Sequence, residues 1–171
     1  MHFRKFLISF LPAMRGAAQK RSATERSERM LSNLAAAGLK LTAQRRAIVR
    51  HFAAEETHPT AQELYERLRV DFPGMSFATV YNTLDALTAR GLSSTLRLGN
   101  AARFDPNTEP HHHAVCDRCG AVVDVPAHTL APKPLTVARL RARASGFTVH
   151  RVERIYRGLC ARCEAEASRS T

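Results

Sequence analysis

The sequence predicts an α+β protein with an N-terminal winged helix-turn-helix domain and a small C-terminal α/β domain that holds a four-cysteine zinc site. Three features predict this fold class. Short amphipathic helices joined by turns occupy the first half of the chain, a hairpin pattern follows them, and two C-x-x-C pairs lie in the second half. The chain has 171 residues, enough for one domain or two small ones.

The charge of the chain narrows the class of partner. The formal net charge is +11, while 44% of the residues are hydrophobic. A balance this basic indicates a polyanionic partner, most often nucleic acid. We find no run of about eighteen apolar residues that could span a membrane, so no membrane partner is expected. The four cysteines, without an export-dependent framework, favour the reducing cytoplasm, where thiolates stay bound to metal.

Residues 1–29 are predicted to be a basic, disordered extension. They begin with a basic start and a short apolar run that faintly resemble a secretion signal. Export would place a zinc-thiolate protein in an oxidising compartment, which argues against a signal. The alternatives are a leader ahead of a later start codon, at Met14 or Met30, and an arm that adds phosphate contacts.

Residues 30–104 are predicted to form the winged-helix domain. Apolar residues recur at helical spacing in its first helix, and Gly38 is expected to end that helix. Thr42, Thr60 and Ser76 each precede an amphipathic stretch and are the predicted N-caps of three further helices. Helices of this length, joined by tight turns in a basic chain, indicate a helix-turn-helix module.

The last of these helices, residues 77–90, is the expected DNA-reading helix, and Gly91 ends it. Residues 92–98 and 102–104 are the predicted strands of a β-wing, with the turn at Gly99-Asn100. A helical bundle with a hairpin is the alternative, because periodicity alone does not exclude it. The polar residues expected to face phosphates and base edges are Gln44, Arg45, Ser76, Thr79, Tyr81 and Asn82.

The densest group of candidate metal ligands lies between Asp105 and Asp124. It contains three consecutive histidines, a C-x-x-C pair and a carboxylate at each end, and a second C-x-x-C pair follows about forty residues later. Two such pairs with no unpaired cysteine predict a tetrahedral zinc site, formed by Cys116, Cys119, Cys160 and Cys163. A redox motif or a disulfide is the alternative, but the βαβ unit of a thioredoxin-like motif is not evident around either pair.

The histidines are expected to form a second, separate site. In an extended segment His111 and His113 share one face while His112 points away. A closed four-thiolate site has no room for further ligands, so the histidines and nearby carboxylates would bind a different metal. The alternative is a solvated run of surface histidines. A zinc enzyme, with His111 and His113 as catalytic ligands, is a distant third interpretation, because the H-x-E motif of a deaminase is missing.

Residues 110–165 are predicted to be a small α/β unit with strands around the first cysteine pair, a basic helix ended by Gly146, and a final strand over residues 147–156. Residues 166–171 are expected to be a frayed tail. A piece of this size cannot cover its own sheet, so we expect it to pair with a second copy as a homodimer.

Several motifs then resemble one known family, the ferric uptake regulator (Fur) superfamily of metal-sensing bacterial repressors. The matching stretches are L-T-A-Q-R, H-P-T-A-x-E-L-Y, F-P-x-M-S-x-A-T-V-Y-N-T-L, R-F-D, H-H-H-A-V-C-x-x-C-G and G-L-C-A-R-C. They occur in the expected order from about Leu39 to Cys163. The resemblance implies a winged-helix domain, a hinge at residues 105–109, and an α/β dimerisation domain that holds zinc on the four cysteines.

The resemblance also implies a regulatory metal site and a palindromic double-stranded DNA operator. The implied ligands of regulatory Fe(II) or Mn(II) are His58, Asp105, His111, His113 and Asp124. The two aspartates, together with Asn82 after Val80-Tyr81, resemble the peroxide-sensing (PerR) branch, in which iron-catalysed oxidation of histidines lifts repression. His58 and His111 would be the oxidised residues. An iron- or manganese-responsive uptake repressor that uses the same ligands without oxidation is the alternative, and roles for His112 and His150 stay open.

Overall fold

The structure is a computed structural model that describes residues 12–98, 101–126 and 154–169, with side chains from residue 22 onward. The chain divides into two compact units. The first unit comprises the residues up to Glu55 together with Thr60–Pro106, and the second comprises Glu56–Pro59 together with the residues from Asn107 onward. The chain therefore passes between units at three peptide bonds, one of them within the segment predicted to be a hinge.

The described part of the first unit contains four helices and a two-stranded sheet. The helices are α1 (Pro12–Ala36), α2 (Ala43–Ala53), α3 (Ala61–Leu68) and α4 (Phe77–Thr88). The predicted N-caps are confirmed, because Thr42, Thr60 and Ser76 each accept a hydrogen bond from the backbone N–H three residues on. At Thr60 the Glu63 side chain returns a bond to the Thr60 backbone N–H, which completes a capping box.

A continuous apolar core lies within this unit. The four helices bury their apolar stripes together, and Leu92 and Phe104 extend the cluster beyond α4. Among its fully buried side chains are Met30, Leu34, Ile48, Phe52, Leu64, Val80 and Leu84. Gly91 follows α4 with a φ of +65°, a conformation that glycine adopts without the steric cost of a Cβ.

Residues 12–29 differ from the predicted disordered extension. They are the first part of α1, which packs against the rest of the first unit. Ser27 is 7% exposed, Met30 is fully buried, and the Arg26 guanidinium donates to the Ala53 carbonyl at 2.7 Å. The prediction of disorder is therefore wrong from Pro12 on, because the helical periodicity recognised from Leu31 extends further towards the N-terminus. Residues 1–11 lie outside the described residues.

The predicted wing is present as β1 (Ser94–Leu98) and β2 (Ala101–Asp105), which pair antiparallel. Its predicted turn, Gly99-Asn100, lies outside the described residues. Across the described residues no helix is both long and apolar enough to cross a bilayer.

The second unit contains β3 (His111–Cys116), β4 (Val122–Pro126), β5 (Ile155–Gly158) and α5 (Ala161–Arg169). The three strands form one sheet in the order β4-β3-β5, in which β4 is antiparallel and β5 parallel to β3. The C-terminal tail, predicted to be frayed, is helical as far as Arg169. The predicted basic helix, His150 and most of the predicted last strand lie outside the described residues.

Candidate metal centres

The four cysteines form one cluster at the end of the sheet. Their Sγ atoms lie within 4.8 Å of one another, and Cys119 Sγ is 3.7 Å from Cys160 Sγ. Sulfurs around one tetrahedral zinc, with Zn–S bonds of about 2.3 Å, are about 3.8 Å apart, whereas a disulfide needs about 2.05 Å. All four cysteines are unbridged. The spacing fits a zinc ion and does not fit a disulfide.

A tight turn between β3 and β4 presents the first cysteine pair. The Gly120 N–H donates to the Cys116 carbonyl at 2.9 Å, and Gly120 has a φ of +69°. The second pair approaches at the end of β5, where the Cys160 N–H donates to Cys116 Sγ at 3.3 Å. Backbone N–H donors to sulfur favour the thiolate form, which is the form that binds metal.

The ionisation of the cluster is uneven. Hydrogen bonds from the backbone of Cys119 and Cys160 lower the pKa of Cys116 to about 6. Burial, followed by hydrogen bonds with the three other cysteines, raises the pKa of Cys163 to about 12. Four thiols so close together cannot all ionise near neutral pH unless a cation balances their charge. This donor set therefore fits Zn²⁺.

A second cluster lies in the same unit and contains no sulfur. One ligand atom from each of four residues lies within 4.8 Å of the others: His58, His111, His113 and Asp124. His111 Nε2 is 2.8 Å from His113 Nε2, and His58 Nε2 is 2.8 Å from Asp124 Oδ1. The predicted shared face of His111 and His113 is thus present. Two ligand nitrogens at right angles on a metal, at about 2.1 Å each, would be about 3 Å apart, so the spacing fits a bound cation.

Neighbouring groups fix the orientation of these side chains. His111 Nδ1 lies 2.6 Å from the Glu109 carbonyl, which makes Nδ1 the donor and puts the lone pair of a metal ligand on Nε2. The Asn107 amide donates to Asp124 Oδ2 at 2.7 Å, on the oxygen that His58 does not use. Sequence reasoning missed Asn107 and Glu109, because nothing in a single sequence distinguishes an amide or a carbonyl that supports a ligand.

The carboxylate of Asp124 is held in its ionised form. Burial alone would raise its pKa, but hydrogen bonds from His58 and Asn107, with the charge of His111, lower the pKa to about 2. An anionic oxygen beside three imidazoles gives a mixed nitrogen and oxygen donor set. Such a set suits iron, manganese or zinc, and the chain's four thiolates belong to the other cluster.

His58 reaches the cluster from a strained backbone. Its φ is +53°, and it is the one described non-glycine residue with a positive φ, while its side chain is 2% exposed. A non-glycine residue in this region costs of the order of 1 kcal/mol and persists where surrounding contacts hold it. The contact between His58 and Asp124 is such a restraint.

Two further residues of the sequence analysis have separate surroundings. Asp105 ends β2 in the first unit, is 1% exposed, and accepts a hydrogen bond from Ser94 Oγ at 3.4 Å. His112 points away from its neighbours, as predicted for an extended strand, and its ring meets Tyr156 edge to face at 6.2 Å.

The residues expected to face DNA have different surroundings from one another. Tyr81, which is 46% exposed, and Asn82 are exposed on α4. The Ser76 and Thr79 hydroxyls lie 2.8 Å apart at the start of that helix. The Arg45 guanidinium donates hydrogen bonds to the Lys40 carbonyl and to Thr83 Oγ1. Its side chain is therefore more restrained than an arginine that extends into solvent to meet a phosphate. Gln44 is half-buried.

Comparison with known proteins places these features in a family. The family model described as the ferric uptake regulator family matches residues 36–154. The chain belongs to the ferric uptake regulator family. The match begins at the last residue of α1 and covers α2 to α4, the wing, and β3 and β4 on either side of the first cysteine pair, so the resemblance seen in the sequence is confirmed.

Individual relatives of this family agree with the assignment. The peroxide-responsive repressor PerR of Staphylococcus aureus (strain Mu50 / ATCC 700699) is 39% identical over 140 residues, which cover 80% of this chain and 90% of that protein. The Helicobacter pylori ferric uptake regulator Fur shares the fold, with a TM-score of 0.64 at 20% identity, over 83% of this chain and 93% of that one. A zinc uptake regulator complexed with zinc and DNA matches with a TM-score of 0.59 at 25% identity, over 85% and 98%.

These comparisons confirm the predicted fold class of a winged-helix domain followed by an α/β domain with a four-cysteine cluster. Members of the ferric uptake regulator family are regulators rather than enzymes. With a named repressor among its relatives, the chain is, in coarse terms, a metal-dependent repressor.

Proposed function

We propose that this protein is a DNA-binding transcriptional repressor that senses peroxide through iron-catalysed oxidation of its own histidines. The observation that carries the proposal is the sulfur-free cluster of three imidazoles and one carboxylate beside a separate four-cysteine cluster. Nitrogen and oxygen donors hold Fe(II) without a competing thiolate, so the groups nearest to a bound iron are the imidazole rings.

The two clusters have different roles in this proposal. Cys116, Cys119, Cys160 and Cys163 hold a structural Zn²⁺, which links the β3–β4 turn to the end of β5 and contributes to folding. His58, His111, His113 and Asp124 hold the regulatory metal. We add Asp105 as the fifth ligand on the strength of the R-F-D motif, because the carboxylate at this position is a ligand in the family that the chain resembles.

The chemistry assigned to the histidines is a net two-electron oxidation. Bound Fe(II) would supply the one-electron steps that activate hydrogen peroxide. A ring C–H of His58 or His111 becomes C–OH, one oxygen of the peroxide enters the ring, and the other leaves as water. The oxidised ring is a poorer ligand, so the metal is held less tightly.

The strained backbone at His58 amplifies that loss. While its imidazole is held by the cluster, His58 keeps a φ of +53°. Once oxidation weakens the restraint, the residue can relax to an ordinary backbone conformation, and the relaxation opposes rebinding of metal. The loss of regulatory metal then lifts repression, provided that metal binds the DNA-competent state more tightly than the other state.

The proposed partner is a palindromic operator in double-stranded DNA, bound by a homodimer. The basic charge of the chain and the exposed residues of α4 support it, as does the fold shared with a zinc uptake regulator complexed with DNA. We expect phosphate and base contacts from Gln44, Ser76, Thr79, Tyr81 and Asn82, while Arg45 supports α4 and contributes charge. A cytoplasmic location is proposed because the thiolates need a reducing compartment.

The second candidate is an iron- or manganese-responsive uptake repressor without oxidation. The same donor set is compatible with this candidate, because Mn(II) accepts nitrogen and oxygen ligands and does not activate peroxide in this way. A zinc enzyme is a distant third candidate, and it would need substrate turnover at the histidine cluster.

The deciding experiment measures DNA binding and histidine oxidation on the same samples. The dimer would be loaded with Fe(II) or with Mn(II), given a brief peroxide dose, and tested on a duplex selected by the Mn(II)-loaded protein itself. We expect the Fe(II) form alone to lose DNA and to gain one oxygen atom on His58 or His111. If both forms keep DNA and neither histidine is modified, peroxide sensing is excluded and the uptake repressor remains.

Two controls make the result specific. His112 lies between His111 and His113 but points away from the cluster, so it should stay unmodified when peptides are sequenced by mass spectrometry. Affinity for DNA should also fall steeply with salt, by roughly 10³–10⁵ between 50 and 200 mM if about 6–10 phosphates are neutralised. An enzyme that does not bind DNA would show turnover and no such dependence.

A further inference from the structure

Within the first unit, β2 carries a proposed metal ligand and also contacts α4, the expected DNA-reading helix. Its last three residues are Arg103, Phe104 and Asp105. Phe104 is 4% exposed and belongs to the apolar core, and it directly precedes Asp105, which is 1% exposed. A displacement of the carboxylate end of this strand therefore moves a core aromatic ring as well.

The Phe104 ring meets the helix through Tyr81. The two ring centroids are 6.4 Å apart and the planes are nearly perpendicular, at 87°, which is the edge-to-face arrangement that aromatic pairs prefer. Tyr81 is 46% exposed, so one part of its ring packs on Phe104 and the rest faces solvent. The Tyr81 ring centroid also lies 6.3 Å from that of Phe77, which in turn lies 6.0 Å from that of Tyr65.

The other neighbour of Phe104 holds the strand in place. Arg103 pairs with Thr60 through a β-bridge, and its guanidinium lies 3.3 Å from Glu63 Oε2. The same carboxylate oxygen accepts the Thr60 backbone N–H at 2.8 Å in the capping box of α3. The start of α3 is thus fastened to β2 one residue before Phe104.

We propose that Phe104 is a positioning residue that couples the regulatory metal to DNA reading by setting the orientation of Tyr81. The inference rests on the proposed function, in which Asp105 is a metal ligand. Metal binding to Asp105 fixes the C-terminal end of β2. Because Phe104 is the preceding residue, its ring is fixed as well, and it holds the Tyr81 ring at the angle required on the DNA. Arg103 and Glu63 keep the strand from moving independently of α3.

The first test measures how strongly metal and DNA binding are coupled. The ratio of DNA affinities with and without Mn(II) would be compared for the wild type, Phe104→Leu and Tyr65→Leu, in protein that retains its zinc. Allosteric ratios are typically about 5- to 150-fold. Phe104→Leu should reduce the ratio by about 2- to 10-fold, the factor equivalent to one aromatic pair, while Mn(II) affinity without DNA stays unchanged. Tyr65→Leu removes a ring of the same aromatic chain that pairs with Phe77 rather than with Phe104, and should leave the ratio unchanged.

The second test observes Tyr81 directly and needs no DNA. The chain has three tyrosines, so protein labelled with 3-fluorotyrosine gives three resolvable ¹⁹F signals, assigned with Tyr65→Phe and Tyr156→Phe. Addition of diamagnetic Zn(II) to the regulatory site should shift the Tyr81 signal in the wild type. The shift should be lost in Phe104→Leu and in Asp105→Asn.

The outcomes separate the inference from the function on which it rests. A wild type that shows neither a coupling ratio nor a ¹⁹F shift contradicts the role of Asp105. A wild type that responds, beside a Phe104→Leu variant that responds equally, overturns the role of Phe104 and leaves the regulatory site intact. If Phe104→Leu fails to fold, Phe104→Met, which fills the same volume with a flexible chain, serves in both tests.

Discussion

At the scale of single residues, the charge of the histidine cluster depends on Asp124. One of its oxygens meets His58 at 2.8 Å, and the other accepts the Asn107 amide at 2.7 Å. These bonds outweigh the cost of burial and lower its pKa to about 2. Asp124 therefore stays ionised over the whole physiological pH range.

Replacing this carboxylate should weaken metal binding selectively. We expect Asp124→Asn to lower Mn(II) affinity by at least about tenfold, because the amide keeps the shape but loses the charge. The matched control is Glu109→Gln, which removes an exposed carboxylate nearby and keeps the backbone carbonyl that orients His111. Competition with a fluorescent chelator would measure both affinities. Equal losses in the two variants would mean that general electrostatics, rather than ligation, is responsible.

Acid should remove the same interaction in the protein free of regulatory metal. Because the pKa of Asp124 is lower in the fold than its ordinary value of 3.8, its interactions stabilise the fold above that value and are lost as the pH falls towards 2. Its side chain is 35% exposed, so screening limits the contribution to about 1 kcal/mol. The difference in unfolding free energy between wild type and Asp124→Asn should therefore shrink on acidification.

At the scale of elements, the turn between β3 and β4 decides whether the first cysteine pair faces the second. Gly120 has a φ of +69°, and a Cβ at this position would meet no atom within 4 Å. Glycine is thus required at this position because of the left-handed backbone conformation, and not because a side chain would lack space. Gly158, in β5 next to the second pair, also has open space around it and has no positive φ.

The two glycines allow a matched comparison. Gly120→Ala should cost about 1–2 kcal/mol through the left-handed backbone and should release zinc faster to a chelator. Gly158→Ala should be close to neutral in both respects, since a strand position tolerates alanine. Thermal unfolding and zinc-transfer kinetics would measure the two variants side by side. Equal rates of zinc release from both variants would mean that the backbone conformation at Gly120 does not affect zinc retention.

Features that depend on residues close together in the sequence were predictable. Contacts between residues far apart in the sequence were predictable only in part. The caps at Thr42, Thr60 and Ser76 depend on hydrogen bonds over three residues, so the pattern was enough. The pairing of His111 with His113 followed from strand alternation. His58 lies more than fifty residues before them, and its place in the cluster came from family resemblance alone. Asn107, which supports Asp124, carried no signal at all.

At the scale of the whole molecule, the two units depend on different sources of stability. The continuous apolar core of buried residues runs from Met30 to Phe104 and lies entirely in the first unit. The described part of the second unit buries few large apolar side chains and contains the four-cysteine cluster. Zinc binding can supply folding free energy of a size that a small core lacks.

Zinc removal should therefore affect the units unequally. In protein without regulatory metal, we expect a strong zinc chelator with a thiol reductant to raise hydrogen exchange in β3 to α5, while the helices of the first unit stay protected. Exchange measured by mass spectrometry on peptides from both units tests this. Readdition of zinc is the control for reversibility. Uniform loss of protection would mean that the first unit cannot fold without the second.

The short segment Glu56–Pro59 has a consequence for the ancestry of such proteins. It lies between α2 and α3 in the chain but belongs to the second unit, and it brings His58 to residues that come more than fifty positions later. Recombination between two related genes at the Pro106–Asn107 boundary would join the N-terminal half of one protein to the C-terminal half of the other. The residues of this cluster would then come from two different parents. His58 would then be inherited with one half and His111, His113 and Asp124 with the other. The histidine cluster therefore cannot be inherited as one continuous segment, and both halves must come from the same parent to preserve it.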